Sequence, residues 1–374
     1  QGGLEQAAKA NYPTISKTYM VSWLPASLYE IRLENQTTND SLFLMTFDYS
    51  IVIRTLGNAG EKYLQMLQAI NNQTVKPREI VVVIPHGYSL DHTLGNERVI
   101  YSDKGMVTQR AVGIAEAQGE YLLVLDDDLD FPCDFAEKLY QTLQERQLDC
   151  VLAFGNWRAA EEAKVQRTVI HGIKQGVKQS LRRMRLAFTG QAFYSRHQSE
   201  YFDTIASTGG HRTYINCEDG LCQTGCFQCF FIKKAVAYAV RFREETWLEQ
   251  GSLSSYAAYD DAVYFYKLYL FGGRIAYTSN VGYAHLDAAV GRMALNKLES
   301  KRIRLYSIAR NRTIFWHRHI WSNHRSIRNL LGGTYGIVNY AIYNIIVNLY
   351  PKYWPAIAAM FRGYHDAFQF IKNK

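Results

Sequence analysis

The chain has 374 residues, of which 48% are hydrophobic and 20% are charged. This balance excludes an intrinsically disordered protein and indicates one large globular domain, or two domains, with an ample core. Six cysteines in a chain of this length do not form a disulfide scaffold, so they favour a reducing compartment.

The net charge of +8 is distributed unevenly along the sequence. Between Arg292 and Arg328 there are ten Lys or Arg residues and a single acidic residue, Glu299, so the rest of the chain is close to neutral. A basic segment of this kind predicts contact with an anionic partner, such as phosphate-bearing lipid, a membrane surface or nucleic acid. The alternative is a solvated helix face that binds nothing.

Strand-like and helix-like segments alternate from Tyr49 onward. Helical spacing predicts one helix with Leu64, Leu67 and Ile70 on its buried face, and another at VTQRAVGIAEAQG. Four apolar segments predict strands: YSIVIRTLG, REIVVVIP, ERVIYSD and EYLLVLDDD. Apolar strands joined by helices predict an α/β fold, in which helices cover a mostly parallel sheet.

The pattern is less regular between residues 156 and 215. This part contains a basic stretch, KQGVKQSLRRMRL, which predicts either a helix that approaches a pyrophosphate group or a solvated helix face. Regular pattern returns with CFQCFFIKK, which predicts a strand entering a helix, and with YDDAVYFYKLYL, which predicts a helix ended by Gly272 and Gly273. A further strand is expected to end near His285.

The sequence beyond Arg292 predicts basic, aromatic helices, and no residue from Asn329 to Pro351 is charged. That length would cross a bilayer, but Gly332, Gly333 and three Asn residues are poorly suited to hydrocarbon. The segment therefore predicts a helix in the membrane interface or one packed on the main domain. Three regions are expected: an N-terminal extension (1–45), an α/β domain (46–290) and a helical C-terminal region (291–374).

Three consecutive aspartates, Asp126, Asp127 and Asp128, follow the fourth predicted strand. Adjacent carboxylates repel one another, and a divalent cation relieves the repulsion. Mg²⁺ and Mn²⁺ usually take one or two protein carboxylates and complete their shell with water and substrate phosphates. On an extended chain Asp126 and Asp128 point the same way, which predicts a metal site at the carboxyl edge of the sheet. An exposed acidic turn or a helix N-cap is the alternative.

Several segments, in their order along the chain, resemble the inverting nucleotide-sugar glycosyltransferases of family 2, which have the GT-A fold. They are SIVIRT, REIVVV, the stretch from Lys104 to Pro132 with its three aspartates, TGCFQCFFIKK, YDDAVYFYKLYL and the late YAHLD. The resemblance runs from about residue 49 to residue 287 and is most specific from Lys104 to Pro132. The later YSIARNRTIFWHRH resembles bacterial members that build surface polysaccharides, including rhamnosyl and galactofuranosyl transferases. The fold implied is a GT-A type α/β domain with a helical C-terminal extension.

The resemblance implies nucleotide-binding roles for residues at matching positions. Thr55 would line the base pocket, and Lys104 and Arg110 would approach the nucleotide. Asp126 would bind the ribose, with Asp127 beside it in the nucleotide-sugar site.

The resemblance also implies a metal site and a catalytic pair. Asp126 and Asp128 would bind the metal, and His285 would be a further ligand. Asp261 would act as the general base, and a neighbouring carboxylate, Asp260, would raise its pKa usefully. The alternatives are an Asp cap on a helix start and a packed histidine.

Two positions depart from the family pattern. The second strand ends in Ile84, Pro85 and His86, where the family has an acidic pair that holds the nucleobase, and Ala111 replaces an expected Asn. His86 either contacts the base instead or is a loop histidine without a specific role. The departures keep a second hypothesis open, a non-catalytic GT-A-fold protein that binds glycan or nucleotide.

Four cysteines lie close together in the sequence. Cys222, Cys226 and Cys229 have the C-x3-C-x2-C spacing of radical enzymes with a four-iron cluster, and groups of Cys also bind zinc. Cys217 lies just upstream. Because free Cys packs well as a small buried hydrophobe, packing is the preferred interpretation, and a Cys-cluster metalloprotein is the alternative.

These interpretations predict Mn²⁺ or Mg²⁺ as cofactor, a nucleotide-diphosphate sugar as donor, and a glycan or lipid-linked acceptor in surface polysaccharide synthesis. No basic-then-apolar segment begins the sequence, which predicts a cytoplasmic protein. The basic C-terminal segment predicts peripheral association with the inner face of the cell membrane. No recognition motif accompanies the basic segment, so nucleic acid is not expected as a partner.

Overall fold

The computed structural model describes residues 46–155, 201–213, 220–286 and 295–373. The boundary expected at residue 290 falls between described segments, so the division into three regions stays a prediction. Three parts of the sequence interpretation lie outside the described residues: the N-terminal extension 1–45, the basic stretch KQGVKQSLRRMRL and Cys217.

The four strands predicted at the start of the domain are all present. Within the described residues the strands are β1 (Tyr49–Arg54), β2 (Glu79–Pro85), β3 (Glu97–Ser102), β4 (Tyr121–Leu125), β5 (Leu129–Asp130), β6 (Cys150–Gly155), β7 (Asp203–Ile205), β8 (His211–Thr213), β9 (Leu221–Cys222), β10 (Cys229–Lys233) and β11 (Ile275–His285).

Helices follow most of these strands. The α-helices in the same residues are α1 (Glu61–Asn71), α2 (Met106–Glu116), α3 (Phe135–Glu145), α4 (Lys234–Ala239), α5 (Asp260–Leu270), α6 (Lys297–Phe315), α7 (Ile327–Val347) and α8 (Trp354–Lys372). Two 3₁₀ segments, Phe242–Glu249 and Pro351–Tyr353, and a π-helical turn, Trp316–Trp321, join them. Gly272 adopts a φ of +84° just beyond α5, as expected for a residue that ends a helix.

The main sheet has the strand order β3-β2-β1-β4-β10-β6-β11-β5, and β9 also pairs with β11. Strands β3, β2, β1 and β4 are parallel to one another. Strand β10 runs antiparallel to both β4 and β6, and β6 is parallel to β11. The predicted α/β fold with a mostly parallel sheet is confirmed, and the carboxyl ends of β1, β2 and β4 lie on one edge.

The sheet is buried on both faces because its strands are apolar at successive positions. In β1, Val52 packs into the cluster that includes α2 and α5, whereas Ile51 and Ile53 pack into the cluster that includes α1 and α3. Each large aliphatic side chain buried in this way contributes about 1.5–3 kcal/mol to the free energy of unfolding. This two-sided core fixes the strand ends that form the candidate site.

The helical C-terminal region that the sequence predicts is present, and it packs on the α/β domain. Helices α6 and α8 contact each other through a small apolar cluster that includes Leu305, Met360 and Tyr364. The side-chain amide of Asn311 donates hydrogen bonds of 2.8 and 2.9 Å to the carbonyls of Leu248 and Ala258. Helix α6 is therefore anchored immediately before α5, close to the candidate catalytic pair.

In the described part of the basic segment, residues 295–328, the structure divides the cations between buried and exposed positions. Arg310 is buried and donates to the carbonyl of Trp247, and the buried Arg312 donates to the carbonyl of Thr208. These guanidinium groups satisfy backbone acceptors inside the protein, so they do not face a partner. The exposed part of the segment that remains for an anionic partner includes Arg304, Arg325 and Arg328.

Candidate functional site

The aspartate cluster lies at the carboxyl edge of the sheet, directly beyond β4. The amide of Asp126 donates a 2.9 Å hydrogen bond to the carbonyl of Gln228, just before β10. The short strand β5 then pairs with the end of β11 and sets Leu129 opposite His285. The three aspartates follow the last residue of β4, and each of them has a different side-chain partner.

Asp126 binds two arginines, and one of them reaches the predicted catalytic pair. Its Oδ1 accepts hydrogen bonds from Arg54 Nη2 at 3.1 Å and from Arg110 Nη2 at 2.9 Å. The other terminal nitrogen of Arg110, Nη1, donates to Asp260 Oδ2 at 2.6 Å. The guanidinium of Arg110 also lies 4.2 Å from the centre of the Phe227 ring. We call this chain of contacts, formed by Arg54, Asp126, Arg110 and Asp260, the arginine bridge.

The arginine bridge changes the interpretation of Arg110. The side chain of Arg110 is only 2% exposed, and both terminal nitrogens are engaged with carboxylates. In this arrangement Arg110 supports the residues that line the site and does not itself project into it. Its predicted contact with the nucleotide stays a prediction, whereas its position between two predicted functional aspartates is now defined.

Asp127 points to β1 and contacts Thr55. The Thr55 hydroxyl donates a 2.5 Å hydrogen bond to Asp127 Oδ2 and accepts one of 2.8 Å from the amide of Gly57. Gly57 has a φ of +82°, and a Cβ at this position would collide with the carbonyl of Ser89, so glycine is required for the turn. Burial raises the pKa of Asp127, although Arg54 opposes that effect.

Asp128 lies beside His285. Asp128 Oδ1 is 3.4 Å from His285 Nε2, and the amide of Leu286 donates a 2.8 Å hydrogen bond to the carbonyl of Asp128. The pairing of β5 with β11 thus brings together a carboxylate and an imidazole that are 157 positions apart in the sequence. The structure shows that these two side chains lie close together, and metal binding by them stays a prediction.

A divalent cation fits the donor atoms at this position. One carboxylate and one imidazole are ligands that Mn²⁺ accepts, and Mg²⁺ and Mn²⁺ commonly complete their shells with water and substrate phosphate oxygens. No three His, Cys, Asp or Glu side chains converge around a metal-sized space in the parts of the chain that the structure describes. Asp128 and His285 are therefore the residues that would hold the ion, and the predicted participation of Asp126 stays a prediction.

The predicted catalytic pair begins helix α5. Asp260 is buried and bound to Arg110, whereas Asp261 is partly exposed and its Oδ1 accepts a 2.7 Å hydrogen bond from the amide of Ala262. Tyr259, which precedes them, has a φ of +76°, an uncommon conformation for a bulky residue that costs of order 1 kcal/mol. This turn directs the two carboxyl groups into one region at the start of the helix.

Both carboxyl groups have a raised pKa. Burial is the largest cause for Asp260, whose pKa is raised to about 6 even though the Arg110 guanidinium opposes the shift. Burial also raises the pKa of Asp261, and hydrogen bonding from the amide of Ala262 opposes it. A carboxylate with a raised pKa is a stronger base than an ordinary one, so these residues suit proton abstraction near neutral pH.

The N-terminus of α2 is capped from a distant part of the chain. Glu249 accepts hydrogen bonds from the amides of Val107 at 2.9 Å and Thr108 at 3.2 Å. A side chain at Gly105 would collide with this carboxylate. The cap satisfies amides at the start of a helix and fixes the segment that carries Lys104 and Arg110.

The structure does not bring Lys104 into the arginine bridge. Its exposed ammonium donates a 2.6 Å hydrogen bond to the hydroxyl of Tyr88. His86 stacks on the ring of Tyr101, with ring centres 6.0 Å apart. His86 and Tyr88 lie directly beyond β2, where the family pattern has acidic residues, and contact of His86 with a nucleobase stays a prediction.

Two residues of the site were missed by sequence reasoning. Arg54 ends β1 and binds Asp126, and the signal was a single cation at the end of an otherwise apolar strand. Gln109 is buried and its amide donates 2.9 Å hydrogen bonds to the carbonyls of Thr55 and Val83, which ties α2 to the ends of β1 and β2. No local pattern indicated the role of Gln109.

The positions of the described cysteines support the interpretation that they are buried packing residues. Cys222 lies on β9, where it pairs with Ile275, whereas Cys229 lies on β10, where it pairs with Leu125. Burial raises the pKa of Cys222, Cys226 and Cys229, which disfavours the thiolate form that binds metals. No metal-binding group includes them among the described residues, and Cys217 lies outside those residues.

Comparison with known families gives one match. Residues 90–238, about two fifths of the chain, match the model of glycosyl transferase family 2. This segment contains Lys104, the arginine bridge residues Arg110 and Asp126, and the strand β10. The comparison thus supports a family 2 glycosyltransferase domain in this chain. None of the curated protein sequences compared with the chain matches it.

Several solved structures are similar in overall form. Staphylococcus aureus TarS 1-349 in complex with UDP-GlcNAc is 14% identical, with coverage of 87% of this chain and 92% of that chain and a TM-score of 0.41. Mannosyltransferase PcManGT from Pyrobaculum calidifontis, in complex with GDP-Man and Mn²⁺, is 12% identical, with coverage of 87% and 88% and a TM-score of 0.44. GalNAc-T7 with UDP, GalNAc and Mn²⁺ is 11% identical, with coverage of 82% and 59% and a TM-score of 0.42. Likenesses of this size carry no argument about activity.

Proposed function

We propose that the chain, whose residues 90–238 match glycosyl transferase family 2, is a metal-dependent inverting glycosyltransferase. It would move a sugar from a nucleotide-diphosphate sugar to a hydroxyl group of a glycan or lipid-linked acceptor. The observation that carries the proposal is the arginine bridge. Arg110 links Asp126 directly to Asp260, so the predicted diphosphate site and the predicted base lie on the same edge of the sheet.

The donor side of the site rests on the ends of β1 and β4. Thr55 would line the nucleobase pocket and Asp127 would lie in the nucleotide-sugar site. The two side chains form a buried hydrogen-bonded pair. Asp128 and His285 would hold Mn²⁺ or Mg²⁺, which when bound supplies positive charge to the departing diphosphate. Lys104, on a neighbouring exposed loop, would add a second positive charge near the phosphates.

The acceptor side rests on the start of α5. Asp261 would accept the proton of the acceptor hydroxyl as that oxygen attacks the anomeric carbon. Asp260 would stay bound to Arg110. Burial, together with the nearby charge of Asp126, would keep the pKa of Asp261 raised. A single displacement of this kind inverts the anomeric configuration.

We also propose that the acceptor is presented at a membrane, at the inner face of the cell membrane, in surface polysaccharide synthesis. The support is the exposed remainder of the basic segment together with helix α7, which carries no charged residue after Arg328. The finer similarity to rhamnosyl and galactofuranosyl transferases rests on the sequence YSIARNRTIFWHRH alone.

Turnover with a defined donor tests the proposed function. A panel of nucleotide-diphosphate sugars is first screened by thermal shift with and without Mn²⁺, because a ligand present at about 100 times its Kd stabilises the folded protein by about 2.7 kcal/mol. The donor that stabilises the protein is then used to measure hydrolysis and transfer, and NMR of the product reports the anomeric configuration.

The decisive variant is Asp128→Ala, and Asp130→Ala is its matched control. Asp130 lies two residues further on, and its carboxylate accepts a hydrogen bond from Gln65. Turnover that disappears in Asp128→Ala and persists in Asp130→Ala supports the enzyme. Donor binding without turnover in the wild type, or equal turnover in both variants, supports the alternative of a non-catalytic binder.

A further inference from the structure

The faces of helix α7 are the reverse of those of an ordinary surface helix, because small and polar residues are buried and apolar residues are exposed. Its buried positions are Gly332, Gly333, Gly336, Asn339 and Asn344. Seven of its nine exposed positions are instead large aliphatic residues that follow the helix from end to end, and the other two are Arg328 and Thr334. The seven are Ile327, Leu330, Leu331, Val338, Ile342, Ile346 and Val347. A helix in water places apolar residues toward the protein, so this arrangement indicates that the outer face of α7 meets a medium other than water.

The inner face of α7 is built for close contact with the rest of the protein. A side chain at Gly332 would collide with Ser207, and one at Gly333 would collide with the ring of Trp316. The buried Asn344 is also bound internally, because its amide donates a 2.8 Å hydrogen bond to the carbonyl of Tyr340 within the helix. Apart from the exposed Thr334, the small and polar residues that make α7 unsuited to hydrocarbon therefore lie on the protein side.

Both ends of α7 carry residues suited to a lipid interface. Arg325 and Arg328 are exposed at the start of the helix. Beyond its end, the Lys352 ammonium lies 5.1 Å from the ring centre of Tyr353, and the rings of Tyr350 and Trp354 are exposed. Tyr and Trp favour the headgroup region of membranes, and Lys and Arg favour anionic headgroups.

We propose that the outer face of α7 docks on an anionic lipid bilayer, with the helix axis in the plane of the interface. By length and composition α7, with 21 residues, could cross a membrane. Crossing would, however, also place its protein-side neighbours in hydrocarbon, including the buried Arg312, which donates to the carbonyl of Thr208. A helix that lies in the plane of the interface buries its aliphatic face in lipid and keeps its contacts with the rest of the protein.

Charge favours a lipid surface over a second copy of the chain. Residues 321–373 contain five Lys or Arg and one acidic residue, Asp366. Two copies facing each other through α7 would bring these positive charges together, whereas anionic lipid neutralises them. The inference identifies the surface behind the proposed membrane association, and it does not depend on glycosyl transfer.

Vesicle flotation of the full chain tests the docking surface. The vesicles are phosphatidylcholine alone or with about one third phosphatidylglycerol, at physiological salt. The test variant is Leu331→Gln/Val338→Gln/Ile346→Gln, at positions 58%, 48% and 56% exposed. The matched control, Leu94→Gln/Val99→Gln/Tyr238→Gln, changes residues 41%, 37% and 64% exposed elsewhere on the protein. Because all six side chains are exposed, both variants are expected to fold, and thermal unfolding checks this.

The wild type and the matched control are expected to float with the anionic vesicles, and the α7 variant is expected to lose at least about tenfold in partitioning. Arg325→Gln/Arg328→Gln/Lys352→Gln should lose a similar factor on anionic vesicles and little on neutral ones. Equal flotation of the α7 variant and the control overturns the proposal. So does resistance of the bound protein to alkaline carbonate, which indicates spanning, or a lipid-free dimer that the α7 variant abolishes.

A failed docking test leaves the proposed activity untouched, because donor hydrolysis is measured without vesicles. Conversely, loss of all turnover leaves flotation unchanged. The two proposals therefore fail separately.

Discussion

Two clusters of buried charge, built from the same kinds of residue, differ in how their carboxyl groups titrate. In the arginine bridge and around it, burial dominates and raises the pKa of Asp127, Asp260 and Asp261. In the second cluster, Glu245 is bound by two cations and an imidazole: Lys267 Nζ lies 2.7 Å from its Oε1, and Arg318 and His319 lie 3.7 Å from its Oε2. Those neighbours hold the pKa of Glu245 far below its usual range.

This difference in pKa distinguishes a candidate ligand-binding site from a cluster that holds parts of the fold together. The Glu245 cluster joins the 3₁₀ segment Phe242–Glu249 to α5 and to the π-helical turn, and its charges are balanced within the protein. The edge that holds Asp126, Asp127 and Asp128 carries more carboxylates than nearby cations, so its repulsion is only partly relieved. Unrelieved negative charge at a sheet edge is what a bound cation and a phosphate-bearing ligand would complete.

The largest effect is expected from Asp261→Asn. The amide keeps the shape of the side chain but cannot accept a proton, so turnover should fall by about 10²–10⁴-fold. Diphosphate release measured at saturating donor and acceptor gives kcat. Glu145→Gln, an exposed carboxyl at the end of α3, is the control and should retain wild-type turnover. Wild-type kcat in Asp261→Asn would remove the general base from the proposal.

The next effect is on stability, and it compares the two clusters directly. Arg110→Met leaves two carboxylates without their shared cation, and Glu245→Gln leaves several cations without their carboxylate. Each should lower the free energy of unfolding by about 3–5 kcal/mol at pH 8. Arg78→Met, which breaks an exposed ion pair with Asp48, should cost no more than about 1 kcal/mol. Urea denaturation measures all three.

The loss of stability should depend on pH in Arg110→Met and not in Glu245→Gln. Carboxyl groups with a raised folded-state pKa add stability below their unfolded pKa, and this is lost as the pH rises through the folded value. The loss in Arg110→Met should therefore be smaller at pH 5 than at pH 8. The pKa of Glu245 is lowered, so its contribution is complete above the ordinary value of 4.5 and the loss in Glu245→Gln should be equal at both pH values. Parallel pH profiles for the two variants would contradict the comparison.

The acid limb of turnover is expected at an unusually high pH. Activity requires the ionised form of the base, so kcat/KM should fall about tenfold per pH unit below the raised pKa of the Asp260–Asp261 pair. A pH–rate profile measured with a non-titrating acceptor locates this limb. A limb near pH 4, the range of an unperturbed carboxyl group, would contradict the assignment of this pair.

The smallest effect is expected from Lys104→Ala. Because Lys104 is exposed, screening by water limits its contribution, and the KM for the donor should rise roughly two- to fivefold with kcat unchanged. Lys297→Ala, an exposed lysine at the start of α6, is the matched control. An unchanged KM in Lys104→Ala would remove this residue from the donor site.

Local pattern explains what could be predicted from the sequence. Apolar periodicity located β1 to β4 and the start of α5, and therefore placed Asp126 at a strand end and Asp261 at a helix start. These are properties of short segments, which repeat every two or 3.6 residues. The resemblance to family 2 glycosyltransferases added the expectation that these segments share one site.

Contacts between distant segments could not be predicted in the same way. Arg110 binds a carboxylate 150 positions away, and Arg54 binds one 72 positions away. The inverted faces of α7 also depend on Ser207 and Trp316, which come from two other segments. Composition showed that residues 329–351 are uncharged, but only tertiary packing shows that Gly332, Gly333, Gly336, Asn339 and Asn344 are buried.

Binding of Mn²⁺ tests the central claim most directly. Calorimetric titration of Mn²⁺ in the presence of the nucleoside diphosphate of the identified donor should show one site per chain in the wild type. In Asp128→Asn, which keeps the size of the side chain, affinity should fall at least about tenfold. Asp130→Asn should bind as the wild type does. Equal Mn²⁺ affinity in the wild type and in Asp128→Asn would contradict the account of the aspartate cluster as a metal-diphosphate site.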